Sequence, residues 1–489
     1  MKIASLFTLP SGGATIAALR IAAALRAAGH ECQCFALAAP AQGAFTGQVQ
    51  GLSADKDVSS FWFRQVSAHW LTTVEPDAFT HGAEMFSDCL TALFPLQPFP
   101  EFLRQADVIH LHWVAGMLFT PSLLRLFRGK KVLFTLHDFN PFTGGCHYPP
   151  ACDAYKRACG CCPLLRDSSE CDMSRRSFDL KRRLYAELKP TFVAPSRWLA
   201  DCAQSSPLLH GTTCQCIPNA MAPAFFEPLD AAESREQLGI PASDFVVLVG
   251  ADSLENSRKN FPALVEALEF LAQDHPNAAL TLVSYGSGTL PELPYPAHAL
   301  GRLQGTHALA QAYTAADVYV HTALQDNLPN TLCEAQACGV PVVAFDGGGI
   351  KESFAPGVSG VLLQEPSPAS LAQALAALMD DPVRCAAMRD AARSFARQRF
   401  DSQRVATQYE NILAEMQPSS GILPAELWEN LYANQVTSLA MFYKNFAENI
   451  HSQFENIHNV LAGFDARIGF LEKVCGIAMW RKLKGKFGK

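Results

Sequence analysis

The sequence predicts an α/β chain of two units, each a parallel sheet covered by helices on both faces, followed by a helical tail. Three observations carry this. Short, nearly continuous apolar segments recur at 3–9, 108–111, 132–136 and 192–194, and again at 245–249, 279–284, 318–321 and 342–345. Strands buried on both faces of a parallel sheet read this way. Between them lie stretches of helical character, such as the Ala-rich run that follows Gly12-Gly13, continues to about Ala28 and stops at Gly29, and the segment 261–271. Finally, 489 residues are too many for one ordinary core.

Composition narrows the class. Hydrophobic residues make up 49% and charged ones 17%, which is the balance of a folded protein. A net charge of −7 argues against non-specific nucleic-acid binding. No apolar run reaches the roughly 18 to 20 residues that span a bilayer. The start does not read as a signal peptide, because 3–9 runs into Pro10-Ser11-Gly12-Gly13, and Arg20 and Arg26 interrupt the next stretch. A cytoplasmic setting is expected, with the 16 cysteines mostly thiols or metal ligands.

The most informative segment is 326–344, DNLPNTLCEAQACGVPVVA. Pro329 suits the first turn of a helix, Gly339 a left-handed stop, and 340–343 a buried strand. Asp326 then falls in the loop ahead of the helix and Glu334 about a turn inside it. The open N–H groups of the helix start lie between the two acids, as an anion site. One acid can bind hydroxyls on one side of a phosphate and the second acid hydroxyls on the other. That is the layout of a nucleotide sugar.

Asp326, Glu334, the Gly339-Val340-Pro341 stop and the Gly347-Gly348-Gly349 turn resemble the EX7E element of the family 4 retaining glycosyltransferases. The resemblance spans roughly 1–416 and is strongest over 245–365. It implies the two-domain GT-B fold, with two Rossmann-like domains facing a cleft: an acceptor-side domain at 1–220, a nucleotide-sugar domain at 221–416, and a tail at 417–489. The crossover is expected at 217–228, although the acid that usually follows its Asn-Gly is missing, and 395–416 reads as a closing helix that returns to the first domain. The resemblance assigns Asp326 to the donor hexose, Glu334 to the ribose, and the amides of Asn330, Thr331 and Leu332 to the phosphate, with Asn327 and Leu328 in the same donor loop. The family usually has Glu at the first acid, and the shorter Asp326 requires a closer or a different sugar.

Other positions gain meaning from the same resemblance. Gly12 and Gly13 sit between the first strand and helix, where backbone can approach the donor diphosphate. Lys259 resembles the family's diphosphate lysine. Arg258 stands in for an arginine that usually follows the strand directly, where this chain has Ala251-Asp252. His137, at the C-terminal end of 132–136, is placed beside the donor sugar, and with Asp326 makes up the expected catalytic pair. His110 and His112 read as structural or acceptor-side. Cys146, Cys152, Cys159 and Cys162 lie in a cysteine-rich insertion at about 142–172, at spacings C-x5-C-x6-C-x2-C. Four thiolates there suit a structural zinc, and free thiols or disulfides are the alternatives. The chemistry is expected to need no cofactor, because no Asp-x-Asp stands in a loop to bridge a metal to the diphosphate.

The tail has a different pattern. Ile450, Phe454, Ile457, Leu461, Phe464, Ile468, Leu471 and Cys475 follow at alternating steps of four and three. This is a heptad seam of about 38 Å, suited either to self-association or to packing on the enzyme's own surface. The end, 480–487, alternates basic and apolar residues, as a segment touching an anionic membrane face or a solvated basic end does. The family resemblance implies a retaining hexosyltransferase using a nucleotide-diphosphate sugar, with a saccharide or lipid-linked acceptor, in surface polysaccharide or lipopolysaccharide synthesis, in the cytoplasm or at the inner face of the membrane. An epimerase or phosphorylase on the same fold, and an inactive scaffold, are the competing classes.

Overall fold

The computed structural model describes residues 1–37, 39–40, 45–52, 86–87, 99–115, 117, 121–149 and 151–420, with 424, 425, 427–429 and 431 beyond them. The heptad seam at 450–475 and the basic end at 480–487 lie outside the described residues.

Two parallel sheets organise the chain. The first contains β1 (Lys2–Leu6), β2 (Glu31–Ala36), β3 (Val49–Gly51), β4 (Val108–Leu111), β5 (Lys131–Thr135), β6 (Thr191–Ala194) and β7 (Cys214–Cys216), in the order β3-β2-β1-β4-β5-β6-β7. The second contains β8 (Phe245–Ser253), β9 (Leu280–Ser287), β10 (Ala297–Ala299), β11 (Val318–His321), β12 (Val342–Phe345) and β13 (Gly360–Leu363), in the order β10-β9-β8-β11-β12-β13. Strand order reverses between β1 and β4 and between β8 and β11, and crevices for ligands open at such points above the C-terminal strand ends. Each sheet has apolar clusters on both faces, as Phe35, Ile109 and Phe134 on one side of the first sheet and Ile3, Val108 and Leu133 on the other illustrate.

The central strands agree with the apolar pattern except β2, whose Glu31 and Gln33 interrupt the apolar run and which was not predicted, and the other departures have local causes. β1 stops at Leu6, ahead of the predicted end at 9, and β8 continues to Ser253 through a bulge after Gly250. The edge strands β3, β7, β10 and β13 were not predicted, because short edges need no continuous apolar run. The closing helix is two helices, Pro382–Phe400 and Ser402–Glu415. Asp401 divides them: its carboxylate accepts the Gln403 and Arg404 amides at 3.0 and 3.1 Å and so starts a new helix. Pro329 lies one residue ahead of the helix Asn330–Ala337, not in its first turn.

The chain passes between the two sheets twice, at neighbouring places. The Met221 amide donates to the Phe400 carbonyl at 2.9 Å. Beyond it, Val405, Tyr409, Ile412 and Leu413 pack with Ile3, Ile21 and Leu25. Tyr409 and Thr135 are hydrogen-bonded at 3.0 Å, and Lys131 Nζ donates to the Leu413 carbonyl at 2.6 Å. The last described helix therefore belongs to the core of the first unit. Leu427 and Leu431 are buried against that unit as well.

Candidate active site

The acid loop follows β11 and is fixed by the glycine turn that follows β12. Asp326 and Gly348 form an isolated bridge, and the Gly349 amide donates to the Asp326 carbonyl at 2.9 Å. A Cβ on Gly349 would meet the Asn327 carbonyl at 2.1 Å, so only glycine permits this approach. Asn327 then spans the cleft: its Nδ2 donates to the His137 carbonyl at 3.2 Å, and its Oδ1 accepts from Ser196 Oγ at 2.6 Å.

Asn330 opens the acid-bearing helix and is also held from across the cleft. Its Nδ2 donates to the Gly13 carbonyl at 3.0 Å, and its Oδ1 accepts from Asn219 Nδ2 at the same distance. Gly12 precedes the first helix, Gly13–Ala27, with φ of 94°, a conformation natural to glycine. The starts of the two helices therefore meet, and their partial positive ends face one region. One expectation needs correction. The Leu332 amide is spent in the turn, donating to the Pro329 carbonyl at 3.1 Å, and the Leu332 side chain is in the core, so it offers nothing to a phosphate. Leu328 is likewise a core residue. Thr331 lies half-buried in the first turn.

The first acid lies beside two cations and a histidine. Lys259 Nζ and Arg258 Nη1 are 2.7 and 3.1 Å from Asp326 Oδ2, and His321 Nε2 is 3.8 Å away. Tyr148 donates to Oδ1 at 3.3 Å, and its ring lies under the Arg258 guanidinium, 4.8 Å from Cζ to the ring centre. Burial alone would raise the Asp326 carboxyl. Lys259, then Arg258 and His321, outweigh it and hold the group well below the ordinary carboxylate range. Burial also lowers Lys259, against the pull of Asp326, and pushes His321 down to about 3.

The second acid, Glu334, is buried and doubly held. Oε1 accepts from Arg20 Nη2 at 2.6 Å, and Oε2 accepts from Tyr313 Oη at 2.9 Å. Tyr313 is itself bonded to Tyr285 at 2.6 Å.

Above the first sheet, His112 Nδ1 and His137 Nε2 lie 3.0 Å apart, and His110 Nε2 is 2.8 Å from Thr135 Oγ1. Burial lowers His137 to about 4 and His110 to about 3, and it takes His112 well below its ordinary value. His137 is thus a neutral imidazole at ordinary pH. Asp138 accepts from Trp113 Nε1 at 2.9 Å and pairs with His147 at 2.7 Å, which ties the start of the insertion to β4 and β5.

In the insertion, burial pushes the Cys146 thiol up to about 12, with Cys159, Cys162 and Cys152 near enough to add to the rise. Yet among the described residues no three His, Cys, Asp or Glu side chains converge where a metal ion could sit, and all four cysteines are free thiols. The zinc expectation does not fit this arrangement. Cys159 Sγ accepts the Gly144 amide at 3.1 Å, and Cys162 Sγ faces the Leu164 and Leu165 amides, so both sulfurs are engaged by local donors.

Arg20, Tyr148, Tyr313, Ser196 and Asn219 join the site without having been predicted. For Arg20 a partial signal existed: an arginine in the middle of an Ala-rich helix, where burial is common, needs a partner.

Residues 244–381 match the family model described as Glycosyl transferases group 1. The chain is 32% identical over 179 residues to D-inositol 3-phosphate glycosyltransferase 1 of Catenulispora acidiphila, covering 34% of this chain and 43% of that protein. It is 28% identical over 262 residues to the putative colanic acid biosynthesis glycosyl transferase WcaC of Escherichia coli K12, covering 50% and 60%. The chain thus spans between 37% and 60% of the length of the curated relatives it matches. Among solved structures, Anabaena HepE in complex with UDP-glucose superposes with a TM-score of 0.54 at 19% identity, over 85% of this chain and 99% of that one. This likeness establishes the GT-B fold.

Proposed function

We infer, for a chain whose residues 244–381 are a group 1 glycosyl transferase domain, that the cleft moves a hexosyl unit from a nucleotide-diphosphate sugar to a saccharide or lipid-linked acceptor with retention of configuration. One observation carries the reading. Asp326 and Glu334 flank a helix start that faces the Gly12-Gly13 turn, with Arg258 and Lys259 beside the first acid. A diphosphate lying between the two helix starts would have its hexose toward Asp326 and its ribose toward Glu334. As the bond from the anomeric carbon to the diphosphate oxygen breaks, negative charge grows on the leaving group. Arg258, Lys259 and the two helix ends are preorganised to stabilise it. The acceptor hydroxyl attacks from the same face, its oxygen forms the new bond to the anomeric carbon, and its proton passes to the departing diphosphate oxygen. Neutral His137 is suited to hydrogen-bond a sugar hydroxyl rather than to carry charge.

The relative named for colanic acid biosynthesis supports a surface polysaccharide as the product class. Among the described residues no helix is long and apolar enough to cross a membrane, and we place the reaction at the inner membrane face, where lipid-linked acceptors are presented. The experiment is a thermal-shift panel of UDP-, GDP- and ADP-sugars on the full chain, followed by transfer assays with whichever stabilises it. Stabilisation by none of them would overturn the reading.

A further inference from the structure

We propose that Arg20 is a positioning residue for the ribose-binding carboxylate, so that recognition of the nucleotide by the second unit depends on a side chain of the first. The inference rests on the donor-site reading above and deepens it.

Arg20 projects from the middle of the first helix, and its side chain is only 10% exposed, against 5% for Glu334. A guanidinium so placed is costly unless partnered. Its described partners all lie outside the first sheet and its helices. Nη2 meets Glu334 Oε1 at 2.6 Å, Nη1 lies 3.4 Å from Met221 Sδ, and Cζ stands 4.9 Å over the Phe225 ring. Met221 and Phe225 belong to the segment that leads into the second unit. The arginine is therefore built into the seam between the units, and nothing described in its own unit uses its charge.

At the other end of the bond, Glu334 is held on both oxygens, by Arg20 and by the Tyr313 hydroxyl. Each carboxylate oxygen accepts two hydrogen bonds, so one lone pair on each stays available. A free glutamate must give up rotamer entropy when it binds a diol, whereas one already clamped from two sides does not. Arg20 thus fixes the carboxylate in place for the two adjacent ribose hydroxyls, and a shift of the first unit that withdraws Arg20 would release it.

The test uses the full chain and calorimetry with UDP, GDP and ADP, and then the 2′,3′-dideoxy analogue of whichever binds most tightly. Arg20→Gln should weaken the ribose nucleotide by about three- to tenfold, the scale of having to immobilise one rotamer-rich side chain on binding, and leave the dideoxy analogue within roughly twofold. Arg20→Lys should recover part of the loss. Equal loss on both nucleotides would mean that Arg20 only holds the units together, and would overturn the proposal. So would unchanged or tighter binding. If Arg20→Gln does not fold by circular dichroism, Arg20→Lys carries the same comparison. Failure of the unaltered protein to bind any of the three nucleotides would instead sink the donor-site reading itself.

Discussion

Lys259 and Asp326 are joined at 2.7 Å, and Arg258 reaches the same carboxylate oxygen at 3.1 Å. Two cations thus share one acid, and a diphosphate bound as proposed would offer them a second, more highly charged partner.

Asp326→Asn should leave Arg258 and Lys259 side by side with no counter-charge on the loop. The pair is partly exposed, so a loss of roughly 2 kcal/mol is expected, between the values for surface and buried pairs. A nucleoside diphosphate should then stabilise the variant more than it stabilises the unaltered chain. Urea denaturation with and without nucleotide measures both. An identical ligand-induced gain in the two proteins would show that the cations do not face the phosphates.

Glu334→Gln should act on the fold as well as on the donor. A Glu334 that served the donor alone would leave stability unchanged, but Arg20 and Tyr313 both depend on it. A stability loss of roughly 1 to 3 kcal/mol is expected from the unpaired arginine, together with a ten- to a hundredfold fall in nucleotide affinity. Calorimetry on the folded variant separates the two, and undiminished affinity would remove Glu334 from the site.

The histidine cluster should make the protein acid-sensitive. His110, His112 and His137 are held neutral by burial, with His137 near 4 and His110 near 3. In the unfolded chain each takes a proton near its ordinary value of about 6.5. Stability is therefore complete above about pH 6.5 and falls as pH drops toward 4, by up to about 1.4 kcal/mol per pH unit for each histidine. Denaturation from pH 7.5 to 5 should reveal the slope, and His112→Asn should reduce it. A flat profile would contradict the burial of these rings.

Gly349→Ala should disturb the donor loop from behind. Its new Cβ would lie 2.1 Å from the Asn327 carbonyl and 2.8 Å from Ser196 Oγ. Displacing Asn327 breaks its bonds to His137 and Ser196, and overpacking of this kind costs roughly 1 to 3 kcal/mol. Transfer activity should fall much further than melting temperature. An alanine variant with full activity would mean that the loop relaxes freely.

Product stereochemistry tests the mechanism most directly. The product anomer, read by NMR, should match that of the donor, and activity should survive excess EDTA, since the proposed mechanism assigns the neutralising charge to Arg258, Lys259 and the helix ends. An inverted product would overturn the same-face attack. Activity lost in EDTA and restored by magnesium would show that these cations do not suffice.

The parts of the site that were legible in sequence are those in which chemistry and local geometry share one short segment. Asp326, Pro329, Glu334 and Gly339 report a loop, a helix and its stop within fourteen residues, because each responds to its immediate backbone. Central strands were legible for the same reason: β4, β11 and β12 are mostly apolar, interrupted only by His110 and His321, and keep their predicted bounds. The Arg20 bond to Glu334 spans 314 positions and the Tyr148 bond to Asp326 spans 178, and no local pattern encodes such a pairing. Cysteine spacing failed in the opposite way. It gives the count of thiols, but the turns of the insertion decide which way each sulfur points.

The hydrogen bond from Met221 to Phe400 has a consequence for evolution and engineering alike. Because the backbone crosses out and back at adjoining positions, 222–400 behaves as a cartridge clipped into the host at two neighbouring joints. Replacing it with the matching stretch of a relative would leave the seven-stranded sheet and its final helix continuous. Appetite for one nucleotide sugar or another could then be traded between relatives by a single recombination of about 180 residues, provided that the arginine on the host helix still finds its glutamate.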